Sequence, residues 1–217
     1  MISVIMPTFM QGQFIGRAIR SVQCQTYKNW ELIVVNDGSS DATENIVSQS
    51  LIDSRIHYLY QDNAGSSCAR NKALEHSTGD YITYLDSDDV YYPEHLEIRQ
   101  KIIIGQDVDF VFGPVWDIKA SSRKIYHGEL ADTDTGCVLP LMVMHKRCCL
   151  SVGVFNPNIV FEEDLDLFLR MKQCYDTYQF FGPVTAEYHV HDDGMHRLYE
   201  LGGEEYIKSY RNCCKRA

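Results

Sequence analysis

A run of three aspartates, Asp86-Ser87-Asp88-Asp89, is the segment of this 217-residue chain whose residue types most directly suggest chemistry. It directly follows residues 80–85, which read as a buried strand. Side chains two positions apart on an extended backbone point the same way, so we expect Asp86 and Asp88 to face one ligand. Clustered carboxylates repel one another unless a cation is bound, and their oxygens suit Mg²⁺ or Mn²⁺. The alternative is an Asp-rich cap on the helix that begins near Pro93, and the run alone does not decide.

Two further polar segments contain candidate ligand-binding groups. Asn36-Asp37-Gly38-Ser39-Ser40-Asp41 reads as a polar turn with a helix cap, but Asp37 stands at a strand end, where a carboxylate can accept the N–H of a pyrimidine base. Residues 63–71 form a loop entering a helix, whose N-terminal amides favour phosphate. Arg70 and Lys72 are scarce basic groups there, and each taken singly is more simply an ordinary helix-surface charge.

Two segments in the second half are candidates for proton transfer or metal binding. Glu162-Glu163-Asp164-Leu165-Asp166 places four acidic side chains in five positions. These carboxylates suit a helix N-terminus, and one of them also suits a general base within reach of an acceptor hydroxyl. Residues 188–193 hold two histidines at strand spacing. A structural role is commoner for such a histidine, and a metal or phosphate role for His191 is the alternative.

The elements that must position these groups alternate between strand and helix in the first half. The predicted strands span residues 3–6, 30–35, 55–60 and 80–85, and the predicted helices begin at Phe14, Asp41, Ser67 and Pro93. This order predicts an α/β fold with a mostly parallel sheet covered by helices on both faces. Ligands bind such sheets at the carboxyl ends of the strands. Pro7-Thr8, Asn36-Asp37-Gly38 and Asp86-Ser87-Asp88 all fall at such ends, so we expect them to converge.

The second half is less regular. Residues 109–119 and 123–127 are predicted to pair around a turn at 120–122. Residues 161–172 predict a helix, and residues 199–217 form a tail that is expected to be helical.

Composition narrows the classes of partner. The formal net charge of −10 disfavours a nucleic-acid surface and electrostatic docking on an anionic membrane. An acidic protein that handles a phosphorylated ligand needs a bridging cation or a few placed basic groups. Eight cysteines without a C-x-x-C pair indicate reduced thiols and predict a cytoplasmic protein. Without an apolar run long enough for a membrane span, the sequence is compatible with peripheral membrane association only.

Taken together, these segments resemble family 2 of the inverting glycosyltransferases, which have the GT-A fold. The resemblance covers roughly residues 1–195, and its motifs occur in the family's order. They are Ser3-Val4-Ile5-Met6-Pro7-Thr8-Phe9, Ser21-Val22-Gln23-Cys24-Gln25-Thr26-Tyr27, Glu31-Leu32-Ile33-Val34-Val35-Asn36-Asp37-Gly38-Ser39-Ser40-Asp41, Ala69-Arg70-Asn71, Gly79-Asp80-Tyr81-Ile82, Leu85-Asp86-Ser87-Asp88-Asp89 and Glu163-Asp164-Leu165-Asp166-Leu167. Each motif is weak alone, whereas their joint occurrence is specific.

The resemblance implies a role for each candidate residue. Nucleotide contacts would come from Pro7, Thr8, Asp37 and Arg70, with Asp37 near the base and Asp86 near the ribose. The metal would be held by Asp88, with His191 as a second candidate ligand. The Glu163-Asp164 pair would supply the general base, with Asp164 preferred.

The same resemblance implies the reaction and the domain layout. A nucleoside-diphosphate sugar, commonly a UDP-sugar, would be attacked by a hydroxyl of a glycan or lipid-linked acceptor in a metal-assisted single displacement. Residues 1–195 would form the catalytic domain, with a nucleotide-binding half (1–105) and an acceptor-side half (106–195), followed by the tail 196–217. A catalytically silent nucleotide-sugar-binding module is the alternative. A nicotinamide-dependent oxidoreductase is disfavoured because no G-x-G-x-x-G follows the first strand.

Two positions depart from the family pattern. Asn36 stands where the family commonly has the first of two acidic residues, although Asp37 is kept. Tyr188-His189-Val190-His191 replaces a common Tyr-Arg-x-His, which removes a basic group and puts the role of His191 in doubt.

Overall fold

The computed structural model describes residues 1–119, 122–126, 142–159, 163–179 and 182–189. Its strands are β1 (Ile2–Thr8), β2 (Trp30–Asp37), β3 (Ile56–Gln61), β4 (Tyr81–Tyr84), β5 (Val90–Tyr91), β6 (Phe110–Phe112), β7 (Val115–Lys119), β8 (Ser122–Tyr126), β9 (Val143–His145), β10 (Thr177–Gln179) and β11 (Ala186–His189). Its helices are α1 (Gly12–Gln23), α2 (Thr43–Ser50), α3 (Ser66–His76), α4 (His95–Gln106), α5 (Lys146–Ser151) and α6 (Glu163–Cys174). The predicted tail, His191 and Glu162 lie outside these ranges.

The main sheet has seven strands in the order β10-β6-β9-β4-β1-β2-β3. Strand β1 pairs in parallel with β2 and β4, β2 with β3, and β6 with β10. Only β9 runs antiparallel, between β4 and β6. The predicted mostly parallel α/β sheet is therefore confirmed, and β9 is an insertion that the sequence pattern did not reveal.

Strands β1 and β2, inside this sheet, are mainly apolar and are buried along their whole length. Every residue of β1 and β2 is buried, as expected for parallel strands covered on both faces. Helix α1 buries Ile15, Ala18, Ile19 and Val22, a stripe at helical spacing that packs towards this core. The first-half elements begin and end close to their predicted positions.

A smaller sheet, in the order β5-β11-β7-β8, stands beside the main one. Strand β7 pairs with β8 in antiparallel, which confirms the predicted pairing of the second half in part. The predicted run 109–119 is not one strand, however. It divides at Gly113-Pro114, and its first part joins the main sheet as β6. The strand breaks here because Pro114 has no N–H to donate to a neighbouring strand. Gly113 also leaves no room for a side chain, since a Cβ there would lie 2.6 Å from Nη1 of the buried Arg99.

In the described ranges, no helix has the length and apolar character needed to cross a bilayer. The cysteines of these ranges, Cys24, Cys68, Cys148, Cys149 and Cys174, are free thiols.

Candidate functional site

The carboxyl ends of three neighbouring strands meet at one edge of the main sheet. Strand β1 lies between β2 and β4, so the end of β1 at Thr8 is flanked by Asp37 on one side and by Asp86 on the other. Thr8 and Asp37 are each 3% exposed. Topology therefore brings the three predicted strand-end segments together, as the sequence pattern indicated.

Arg70 joins this edge to the acidic segment of the second half. Its Nη2 donates to Asp86 Oδ1 at 2.9 Å, and its Nη1 donates to Glu163 Oε1 at 2.6 Å. The side chain is 5% exposed, and the two carboxylates raise the pKa of Arg70 against the opposing effect of burial. The interpretation of Arg70 as a helix-surface charge is wrong, since Arg70 is buried and contacts both Asp86 and a partner 93 residues away. Lys72 is different: it is partly exposed and donates to the Tyr60 carbonyl.

The aspartate run forms a turn between two strands. The Asp89 N–H donates to the Asp86 carbonyl at 3.0 Å, and the guanidinium of Arg17 donates to the Asp88 carbonyl at 2.9 Å. Strand β5 follows directly, and α4 begins only at His95, without a side-chain cap. The run is therefore not a helix cap, and that alternative is wrong.

The carboxylates of this turn differ in their surroundings. Burial and the neighbouring charge of Asp88 raise the pKa of Asp86, while Arg70 opposes the rise. Asp89 is completely buried, its Oδ1 accepts the His189 N–H at 2.9 Å, and burial raises the pKa of Asp89 well above its usual range. Asp89 thus ties the turn to β11.

Asp37 organises the loop that leads into α3. Its Oδ1 accepts from Gln61 Nε2 at 2.7 Å and from the Ala64 N–H at 2.8 Å, and its Oδ2 accepts from the Gly65 N–H at 2.9 Å. A carboxylate has about four acceptor sites. Asp37 therefore fixes this loop and still retains acceptor capacity for a ligand N–H.

The flanking residues of the second segment are structural. Asn36 Oδ1 accepts the Ser39 N–H, and Asn36 Nδ2 donates to the Tyr58 hydroxyl. Asp41 accepts the N–H groups of Gly12 and Thr43, the first residues of α1 and α2. The N-cap position of α2 is Ala42, so the predicted N-cap at Asp41 is one residue early, and Asp41 stabilises the helix starts from outside the cap position. Asn36 supports the turn without a charge.

Several buried polar atoms around this edge have no hydrogen-bond partner among the described residues. They are Thr8 Oγ1, Ser67 Oγ, Arg70 Nε and Asp89 Oδ2. An unsatisfied buried polar group costs about 1–3 kcal/mol, so such groups need an explanation. Thr8 ends β1, Asp89 lies in the turn after β4, and Ser67 and Arg70 lie near the start of α3, so these atoms favour a polar ligand at this edge. Ser67 lies within the flagged segment 63–71, but sequence reasoning assigned it no role of its own.

The two candidate bases at the start of α6 differ in what they contact. Glu163 is 6% exposed and accepts from Arg70 and from the Ser66 hydroxyl at 3.1 Å. Asp164 is partly buried and accepts only its neighbour's backbone N–H, at Leu165, among the described residues. Burial, reinforced by the charge of Glu163, raises the pKa of Asp164 to about 7. Glu163 therefore serves as a partner for Arg70, whereas Asp164 has the properties of a general base.

Asp86 and Asp88 are the described residues suited to a divalent cation. Their oxygens are hard ligands, and their mutual repulsion is relieved by positive charge. No cluster of three or more metal-ligating side chains occurs within the part of the chain that the structure describes. His191, the other predicted ligand, lies outside that part. A cation at this turn would therefore complete its coordination with ligand oxygens or water.

Comparison with solved structures gives the fold. The crystal structure of S. aureus TarS 1-349 in complex with UDP matches with a TM-score of 0.74 and 18% identity, over 92% of this chain and 62% of that chain. A mannosyltransferase from Pyrobaculum calidifontis, in complex with GDP-Man and Mn²⁺, matches with a TM-score of 0.74 and 16% identity, over 99% of this chain and 64% of that chain. The predicted GT-A fold is confirmed.

Comparison with curated sequences gives the family. TuaG of Bacillus subtilis (strain 168), a putative teichuronic acid biosynthesis glycosyltransferase, is 32% identical over 88% of this chain and 79% of its own length. WfgD of Escherichia coli, a UDP-Glc:alpha-D-GlcNAc-diphosphoundecaprenol beta-1,3-glucosyltransferase, is 34% identical over 79% of this chain and 69% of its own length. The chain spans 79% of the length of TuaG, whereas it spans only 19% of the length of another matching glycosyltransferase, GlyA of Streptococcus pneumoniae. The family model described as "Glycosyl transferase family 2" matches residues 3–171, and the chain belongs to that family.

Proposed function

We propose that this chain transfers a sugar from a UDP-sugar to a hydroxyl of a glycan or lipid-linked acceptor, with inversion at the anomeric carbon and with the assistance of Mn²⁺ or Mg²⁺. The observation that carries the proposal is the contact of Arg70 with both Asp86 and Glu163. This contact brings the strand-end edge next to the start of α6. Donor-binding groups and a general base therefore share one site.

The donor side comprises the strand ends. Pro7, Thr8, Asp37, Arg70 and Asp86 are the proposed nucleotide-binding residues. The spare acceptor capacity of Asp37 suits the N–H of a uracil base, and the unsatisfied hydroxyl of Thr8 suits a polar nucleotide group. The match to a structure containing UDP and the UDP-Glc in the name of WfgD support uridine as the base.

The metal ligand proposed here is Asp88, with Asp86 beside it. A divalent cation held there would neutralise charge on the departing diphosphate, which acidic surroundings alone cannot do. The Mn²⁺ in the Pyrobaculum calidifontis structure supports this assignment. His191 stays a proposed second ligand.

The acceptor side centres on Asp164. Its carboxylate would take the proton of the acceptor hydroxyl as the oxygen attacks the anomeric carbon and the bond to the diphosphate breaks. A base works best with a pKa near the working pH, and the pKa of Asp164, about 7, meets that condition. Glu163 is already paired with Arg70, so we propose its neighbour Asp164 as the base.

Calorimetric titration with UDP, GDP and dTDP, each with Mn²⁺ or with chelator, tests the donor assignment. We expect UDP to bind only with metal, and we expect the wild-type chain to release UDP slowly from a UDP-sugar without acceptor. Preferential binding of GDP would overturn the base assignment. Tight UDP binding in chelator would overturn the role of the metal, and binding without any turnover would favour the silent module.

A further inference from the structure

Tyr188 lies on a strand that is fixed at both ends. In β11, Ala186 pairs with Tyr91 and Glu187 pairs with Val90 of β5. At the other end, the His189 N–H donates to Asp89 Oδ1 at 2.9 Å across a separation of 100 residues. The backbone on either side of Tyr188 is thus held against the aspartate turn, so the position of its Cα is fixed.

The neighbours of Tyr188 are engaged on the other face of the strand. Glu187 accepts the Tyr92 hydroxyl at 2.6 Å and lies 3.4 Å from His189 Nε2. Side chains alternate along a strand, so Tyr188 projects to the opposite side, where its ring packs against the main core. Tyr188 therefore lies away from the Glu187–His189 pair, on a strand that is held beside the aspartate turn.

The hydroxyl of Tyr188 has a particular environment. It belongs to a side chain that is only partly exposed. Burial, followed by the charges of Asp89, Asp86, Asp88 and Asp164, raises the pKa of Tyr188. The phenol is therefore a neutral hydrogen-bond donor that is influenced by both acidic segments.

This inference rests on the proposed function. Under that function, a hydrogen-bond donor at this position would have the transferred sugar as its acceptor. In a single displacement, the transferred sugar lies between the leaving diphosphate and the hydroxyl that the base deprotonates. Those two positions correspond to the Asp86–Asp89 turn and to Asp164. We propose that the Tyr188 hydroxyl donates a hydrogen bond to the transferred sugar and so helps to select the donor sugar.

Tyr188→Phe tests this inference because it removes one oxygen and keeps the ring. Titrations of the full chain with Mn²⁺ would compare UDP with UDP-glucose, UDP-galactose and UDP-N-acetylglucosamine. A net hydrogen bond corresponds to a roughly five- to tenfold change in affinity. We expect Tyr188→Phe to weaken the preferred UDP-sugar by about that factor, to leave UDP within about twofold, and to narrow the differences among the three sugars. Tyr178→Phe, at an exposed position of β10, is the matched control and should change none of these values.

The outcomes separate the inference from the proposed function. Unchanged affinity for the preferred UDP-sugar in Tyr188→Phe would overturn the sugar contact. Equal weakening of UDP and the UDP-sugar would also overturn it, because the residue would then act through the nucleotide or the metal turn. A wild-type chain that binds no nucleotide with Mn²⁺ would overturn the proposed function and this inference with it.

Discussion

Two acidic segments can be compared: the aspartate turn after β4 and the start of α6. Both are rich in carboxylates, but these carboxylates have different neighbours. In the turn, Asp86 and Asp88 lie close enough for the charge of one to raise the pKa of the other. At the helix start, Arg70 contacts Glu163, and Asp164 is left with a pKa of about 7. Acidic composition marks both segments as candidates. Arg70 contacts one carboxylate of each segment, Asp86 in the turn and Glu163 in the helix. The proposed cation and the proposed proton transfer involve the carboxylates beside these two, Asp88 and Asp164.

Asp164→Asn should have the largest effect, and it tests the second half of this comparison. A general base contributes about 10²–10⁴-fold to rate, so we expect transfer to fall by roughly a thousandfold while UDP affinity stays unchanged. Steady-state assays of UDP release with an acceptor, alongside calorimetry, measure both quantities. Asp166→Asn is the control on the same helix, since it removes a partly exposed pair with Arg170 that stabilises little. Transfer at wild-type rate in Asp164→Asn would exclude it as the base.

Glu163→Ala tests whether the paired carboxylate of α6 is structural. Both partners of the Glu163–Arg70 pair are less than a tenth exposed, and removal of one partner leaves a buried charge incompletely paired. Such a loss costs about 3–5 kcal/mol, so the free energy of unfolding should fall by about 3 kcal/mol, because Asp86 still contacts Arg70. Urea denaturation measures this difference. Glu163→Gln keeps an acceptor for Arg70, so its free energy of unfolding should fall less. Equal stability of Glu163→Ala and the wild type would contradict a structural role for Glu163.

The pH dependence of transfer separates the two neighbouring carboxylates further. Asp164 acts in its deprotonated form, so kcat/KM should rise through about pH 7 and fall about tenfold from its plateau near pH 6. Removing the like charge in Glu163→Gln should lower the pKa of Asp164 and shift this rise to lower pH. A profile that does not move in Glu163→Gln would show that Glu163 has no electrostatic effect on the base.

Much of the donor half could be predicted because its information is local. Mainly apolar runs predict β1 and β2, and strand order then brings Thr8, Asp37 and Asp86 to one edge. The burial of Arg70 could not be predicted, because one of its two carboxylate partners, Glu163, lies far along the chain. Strands β9 and β11 could not be predicted either, because these short strands form through pairing with distant segments.

Gly38→Ala should have the smallest effect, and it tests how the donor-side turn is built. Gly38 has φ +81°, and a Cβ there would stand 2.9 Å from the Asn63 backbone nitrogen. A left-handed conformation costs a non-glycine residue about 1–2 kcal/mol, and the close contact adds to that cost. Gly105→Ala in α4 is the control, because Gly105 has no positive φ and its Cβ would meet nothing within 4 Å. Urea denaturation should show a loss of about 2 kcal/mol for Gly38→Ala and no loss for Gly105→Ala. Wild-type stability in Gly38→Ala would contradict this account of the turn.

The most direct test of the division between the two acidic segments is UDP binding with Mn²⁺ in two variants. Calorimetry should show that Asp88→Ala loses metal-dependent UDP binding, whereas Asp164→Asn binds UDP as the wild type does. The same titrations in chelator should show no binding in any of the three proteins. Wild-type UDP affinity in Asp88→Ala, or loss of UDP binding in Asp164→Asn, would contradict the assignment of the turn to the metal and of α6 to the base.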